Sequence, residues 1–101
     1  MDSFESTWVV PPDHPAFAGH FPGQPIVPGV VLLDHAIALA GQWLQRPSAG
    51  WRVDQAKFLQ PVGPGAVLRF VFSRKPSGTV AYTVTEGDRS VASGALTPAG
   101  A

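Results

Sequence analysis

Hydrophobic and polar positions change their spacing along this chain, and the changes divide it into elements. In residues 79–86, Val80, Tyr82 and Val84 alternate with threonines, the period of two that sends every second side chain to one face of a strand. Three other segments, 51–60, 66–75 and 89–97, also read as strands, and 4–10 reads as a first strand. The turns between the later strands are legible as Pro-Val-Gly-Pro-Gly at 61–65, Pro-Ser-Gly at 76–78 and Gly-Asp at 87–88. Glycine and proline there favour tight reversals and therefore hairpins. Residues 28–44 follow a different rule. Pro28 suits a first helical position, because its missing N–H would have no partner there. The helix is expected to run to about Leu44 and to stop before Arg46-Pro47, since the residue before a proline disfavours helical angles. Its apolar residues occupy all faces, which predicts burial on every side. Between the first strand and the helix, residues 11–27 contain Pro11, Pro12, Pro15, Pro22 and Pro25, so a stiff irregular loop is expected. Phe17, Phe21 and Ile26 are expected to pack it down.

These elements predict an α+β fold in which an antiparallel sheet curls around one long central helix. The strand order does not follow from the pattern. Residues 1–101 are expected to form a single domain, and a core this small would gain from an oligomer interface, with two sheets side by side in a dimer.

Composition narrows the function classes. The 101 residues are 45% hydrophobic and 14% charged, with formal charge zero, which fits a packed domain and lacks the basic stripe of a nucleic-acid binder. There is no cysteine, which excludes disulfides, thiolate metal sites and cysteine nucleophiles. The first residues carry Asp2 and Glu5 and no basic region, so no secretory signal is expected. The apolar stretch from Val30 to Leu44 is broken by Asp34 and His35 and is too short for a comfortable span. The expectation is a soluble, cytoplasmic protein with no membrane partner.

Three positions stand out chemically. Asp34 is a carboxylate two turns into an otherwise apolar helix, where an unpartnered charge costs several kcal/mol, roughly. A structural carboxylate bonded to backbone N–H groups would explain it equally. His20 lies in the proline-stiffened loop, where a histidine serves acid–base chemistry or simply faces solvent. Gly29 follows Pro28 at the helix start, where an unpaired N–H and the helix dipole favour developing negative charge. An ordinary Pro-Gly helix start needs no ligand. His14 and His35 add no two-histidine spacing of a metal motif, so no metal site is expected.

The run GHFPGQPIVPGVVLLDHA, residues 19–36, resembles the signature of the 3-hydroxyacyl-acyl carrier protein dehydratases, which have the hot-dog fold. His20-Phe-Pro-Gly, a spacer, Pro28-Gly29 and an acidic residue fourteen positions after the histidine match that pattern. His14-Pro-Ala-Phe-Ala-Gly before it and AKFLQPVGPG at 56–65 are similar to the flanking family segments. Where the widespread branch carries glutamate, this chain has Asp34, as do the isomerising branch and small dehydratase-like proteins of specialised acyl pathways, which its length most resembles. The resemblance implies dehydration of 3-hydroxyacyl thioesters to trans-2-enoyl thioesters in fatty-acid or related acyl-chain biosynthesis. In it, His20 is the general base, Asp34 handles the β-hydroxyl, and the Gly29 N–H stabilises the thioester oxygen. It implies no cofactor, a substrate on acyl carrier protein or coenzyme A, and a homodimer in which His20 of one subunit faces Asp34 of the other. Phe21, Val27, Pro28, Leu33 and Ile37 become candidates for binding the substrate, and Arg46, Arg52, Arg74 and Lys75 for docking acidic acyl carrier protein. The side chains of both sets are equally explained as core and as solvated charges. Two other readings stay open: a hot-dog acyl thioesterase, and a non-catalytic acyl-binding subunit.

Overall fold

The computed structural model describes residues 2–13, 26–47 and 49–98. Six elements follow in order: β1 (Ser3–Val9), α1 (Gly29–Leu44), β2 (Arg52–Phe58), β3 (Val67–Arg74), β4 (Val80–Glu86) and β5 (Arg89–Thr97). The strands form one antiparallel sheet in the order β1-β3-β4-β5-β2. All five expected strands and the helix are present, with ends shifted by one or two residues. β3, β4 and β5 form the expected hairpins at 76–78 and 87–88. The hairpin expected at 61–65 does not form: β2 pairs with β5 and not with β3, so 61–65 crosses to the other side of the sheet and β1 and β2 take its two edges.

Directly opposed residues in an antiparallel ladder point to the same face, so the register gives rows of side chains across the sheet. One row runs Ser6–Phe70–Val84–Ala92–Phe58, and the next runs Phe4–Phe72–Tyr82–Gly94–Ala56. These rows face α1. Phe70, Phe72, Val84 and Ala92 are fully buried, with Leu32, Ala36 and Ala40 of α1 in the same core. At Gly94 the opposed Tyr82 ring lies over the missing side chain: a Cβ there would come within 2.7 Å of the Tyr82 hydroxyl and closer still to the Gln55 carbonyl oxygen. Glycine is thus what allows a tyrosine into this row next to the irregularity between Val53 and Gln55.

The turns behave as their residues dictate. Gly87 has φ 59 at the first of the two residues joining β4 and β5, which is the geometry of a type II′ hairpin. Gly78 has φ 93 and donates its N–H to the Lys75 carbonyl at 2.8 Å. The segment after β2 is anchored by buried Val62, whose carbonyl accepts the Val27 N–H at 2.7 Å, tying the entry of α1 to the sheet.

Two expectations about the helix are corrected. Pro28 is the N-cap and not the first helical residue, because its ψ of 143 is extended. The helix is also not buried on every side within one chain. Leu32, Ala36, Ala40 and Gly41 are buried, whereas Val30 is 57% exposed and Asp34 is exposed. A helix at one edge-to-edge position over a single sheet can cover only one of its own sides. At its C-terminus Gln45 adopts left-handed angles, φ 56 and ψ 46, and the Arg46 N–H returns to the Gly41 carbonyl at 2.9 Å, a Schellman-type ending without the usual glycine. Of the expected loop over 11–27, Phe17 and Phe21 lie outside the described residues, and Ile26 is half-buried.

Candidate active site

α1 positions the acidic candidate. At about 100° per residue, Asp34 falls roughly opposite the buried stripe of Leu32, Ala36 and Ala40. Its helical neighbours three before and four after are Val31 and Ala38, the spacing that brings side chains together on one face. These three, with His35 and with Trp8 of β1, line an open groove of about 340 Å³. Asp34 is therefore a carboxylate at the rim of an apolar depression, and among the described residues no other charged side chain lines it.

One wall of the groove is a stack of rings. The Trp8 and His35 rings lie 4.1 Å apart at 22°, and His35 leans on Phe70 at 5.1 Å and 59°. Phe70 is fully buried, so the stack is founded in the core. Burial holds the His35 imidazole below its ordinary pKa and favours its neutral form.

Gly29 lies elsewhere. With Ile26, Val27, Pro28, Leu32 and the Phe58–Pro61 segment it lines a second groove, of about 250 Å³. The Phe58 ring fills the place of a Gly29 side chain: a Cβ would meet it at 2.8 Å. Packing alone thus demands glycine there, independently of any ligand. Pro28 offers no side-chain cap, and its carbonyl accepts the Val31 N–H at 3.0 Å. The Gly29 N–H, ahead of that first bond, lies at the helix end beside this groove.

The structure thus brings Val27, Pro28 and Gly29 together and puts Asp34 in a separate groove of the same chain. Leu33 and Ile37 are partly buried against the core and line neither. His20 and Phe21, like His14, lie outside the described residues. Among the docking candidates, Arg52 is held by Asp54, its Nε donating to Oδ1 at 2.6 Å, and Thr97 donates to the other carboxylate oxygen at 2.6 Å. Arg74 and Lys75 line a separate polar depression with Asp2, Pro76 and Gly78.

Sequence reasoning missed Trp8, Val31, His35 and Ala38 as neighbours of Asp34. Two signals were available. Phe4 and Trp8 keep even spacing on one face of β1, and Val31 and Ala38 flank Asp34 at helical spacing.

Comparison with known proteins supplies the family. The chain is 35% identical over 82 residues to 3-hydroxyacyl-acyl-carrier-protein dehydratase FabZ of Geotalea uraniireducens, covering 68% of this chain and 57% of that protein. It thus spans little more than half the length of that curated relative. In shape it is similar to the dehydratase heterocomplex ApeI:P from Xenorhabdus doucetiae, with TM-score 0.79, 23% identity, and coverage of 95% of this chain and 86% of that one. It is also similar to an uncharacterized protein of Erwinia carotovora subsp. atroseptica, with TM-score 0.71, 37% identity, and coverage of 95% and 83%. These likenesses establish the hot-dog fold. Residues 1–95 match the ApeI-like family, described as ApeI dehydratase, and the chain belongs to that family.

Proposed function

We propose that this protein dehydrates 3-hydroxyacyl thioesters, carried on acyl carrier protein or coenzyme A, to trans-2-enoyl thioesters. It would do so in the cytoplasm, as a homodimer with shared active sites and without a cofactor. The observation that carries this reading is Asp34, a carboxylate at the rim of an apolar groove on the central helix in a chain of the ApeI-like dehydratase family.

The reaction breaks the Cα–H and Cβ–O bonds and forms the Cα–Cβ double bond. His20, as general base, takes the α-proton onto a ring nitrogen. The electron pair left behind is delocalised onto the thioester oxygen, where the N–H of Gly29 at the positive end of α1 stabilises it. Asp34 hydrogen-bonds the β-hydroxyl, which leaves as water with the proton that His20 took up. Val27 and Pro28 border the Gly29 end of the substrate, and Phe21, Leu33 and Ile37 complete the apolar lining of the acyl path.

Two observations support a dimer. Gly29 and Asp34 line separate grooves within one chain, so a centre that uses both draws them from two protomers. In addition, Val53 and Phe58 point to the helix side of the sheet, opposite buried Leu96 and Ala92, yet they are 40% and 52% exposed. β2 is moreover an edge strand with free pairing capacity. A second copy joined edge to edge would cover both.

The test is the absorbance of the conjugated enoyl thioester on incubating the protein with 3-hydroxyacyl thioesters, beside His20→Ala and Asp34→Asn. The expected result is turnover by the native chain and losses of about 10²- to 10⁴-fold in each folded variant. Free acid and thiol in place of enoyl product would make it a thioesterase. Binding of acyl carrier protein without turnover would make it a non-catalytic subunit, and a different partner would then be sought.

A further inference from the structure

We propose that the groove of Trp8, Val31, Asp34, His35 and Ala38 holds the acyl chain beyond the β-carbon, and that the Trp8–His35 stack is the wall that sets which chains fit. This rests on the dehydration reading for the role of Asp34. If the Asp34 carboxylate meets the β-hydroxyl, the next carbons of the chain lie within bonding distance of that point. They must therefore lie against whatever flanks Asp34. Among the described residues, what flanks it is Val31, Ala38 and two aromatic rings, all suited to an apolar chain. The volume of about 340 Å³ is that of a small-molecule site, for which about 300–1,000 Å³ is usual.

Selectivity needs a wall that does not yield, and the stack provides one. Trp8 rests on His35 and His35 on Phe70, which is buried at 0% exposure. Moving Trp8 aside would disturb rings continuous with the core. Burial also keeps His35 toward its neutral form, so the wall adds no charge beside an apolar chain. Ala38, which also lines the groove, contributes only a methyl group and leaves it open. Trp8 is thus the large residue and Ala38 the small one whose difference defines the space. In a rigid apolar site, a methylene that does or does not fit changes kcat/KM by about 10- to 200-fold.

Binding and turnover are tested separately. The chain has three tryptophans, and their indole N–H resonances are distinguished by a Trp8→Phe variant. Unreactive amide analogues of butyryl- and octanoyl-pantetheine are then titrated into the native protein. The Trp8 indole is expected to shift, and more with the octanoyl analogue, while Trp51 stays in place. In turnover, the ratio of kcat/KM for 3-hydroxyoctanoyl over 3-hydroxybutyryl pantetheine is expected to fall about tenfold or more in Ala38→Leu, which fills the groove from the helix side. It is expected to rise in Trp8→Leu. An unshifted Trp8 indole, or a ratio unchanged in both variants while enoyl product forms, overturns the groove and leaves dehydration standing. A chain-length-dependent Trp8 shift with no enoyl product from any substrate supports the groove and overturns the dehydration reading.

Discussion

Phe70 and Phe58 stand in one row across the helix side of the sheet, three strands apart, yet Phe70 is fully buried and Phe58 is 52% exposed. The register points both to the helix side. The difference lies in what covers them. Over β1, β3 and β4 the helix lays Leu32, Ala36 and Ala40 on the row, and Trp43 stacks on Phe4 at 5.7 Å. Over β2 the same helix sets Gly29 against the Phe58 ring, which stays half exposed. One side of the sheet is thus finished within the chain. The other carries inward-pointing residues, Val53 and Phe58 among them, that one helix does not reach, and its edge strand is exposed at every residue.

The strongest way to break this comparison is to cut the two ends of the row separately. Phe70→Ala should cost about 3–5 kcal/mol, the usual range for emptying a large core site. In a domain near 100 residues that corresponds to a fall in Tm of about 12 °C or more. The loss, read from urea denaturation, should not depend on protein concentration. Phe58→Ala should cost much less at low concentration. Equal losses at any concentration would mean that β2 is as complete within one chain as β3.

Next in size is the edge itself. Val53→Arg puts a charge into the surface that a second copy would bury, at a cost of several kcal/mol, roughly, if it cannot be paired. The expected outcome is a dimer weakened by about 100-fold, seen as a shift to monomer in sedimentation equilibrium, with the thermal stability of the monomer little changed. An unaltered mass distribution would remove β2 from the interface and leave its exposed face without this explanation.

A smaller effect sharpens the boundary between the two regions, where Tyr82 and Gly94 meet. Among the described residues the buried Tyr82 hydroxyl has no hydrogen-bond partner, and burial raises its pKa above the ordinary tyrosine value. Gly94→Ala drives a methyl group into the Tyr82 ring and the Gln55 carbonyl and should cost about 1–3 kcal/mol. Tyr82→Phe removes an unpaired hydroxyl and should be neutral or up to about 1 kcal/mol more stable. A clear destabilisation by Tyr82→Phe would show that the hydroxyl has a partner in solution.

Much of this arrangement was legible from local pattern. Period-two alternation located β4, turn residues bounded the strands around it, glycines located the turns that need positive φ, and Pro28 located the helix start to within one residue. The strand order was not legible, because β1 and β2 join the meander through contacts far apart in the chain, and no local signal encodes them. The all-round apolarity of α1 was read as complete burial. Its exposed Val30 shows that an apolar helix position need not be buried within its own chain. Asp34 stood out because it breaks an apolar pattern. Its neighbour Trp8 did not, since an inward tryptophan on a strand looks like any core residue until the fold brings it to the helix.

The smallest expected effect tests how firmly the finished side holds the His35 ring. His35 is stacked between Trp8 and Phe70, and burial lowers its pKa from 6.5. As pH falls past that ordinary value, the unfolded chain takes up a proton at His35 before the folded chain does. The unfolded state then binds more protons, so stability rises with pH across the window between the lowered folded pKa and 6.5. The contribution is complete above 6.5 and is lost as pH falls through the folded pKa. His35→Phe keeps an aromatic ring in the stack and removes the titration. The Tm difference between the native chain and this variant should therefore be constant at neutral and alkaline pH and move against the native chain on acidification, with His14 and His20 cancelling because both proteins carry them. Repeating the pair in an Asp34→Asn background isolates any part due to the carboxylate next to it. Parallel curves from neutral to acid would mean that the ring accepts a proton in the folded state as readily as in water, and that the Trp8 wall is looser than its stacking on a buried phenylalanine requires.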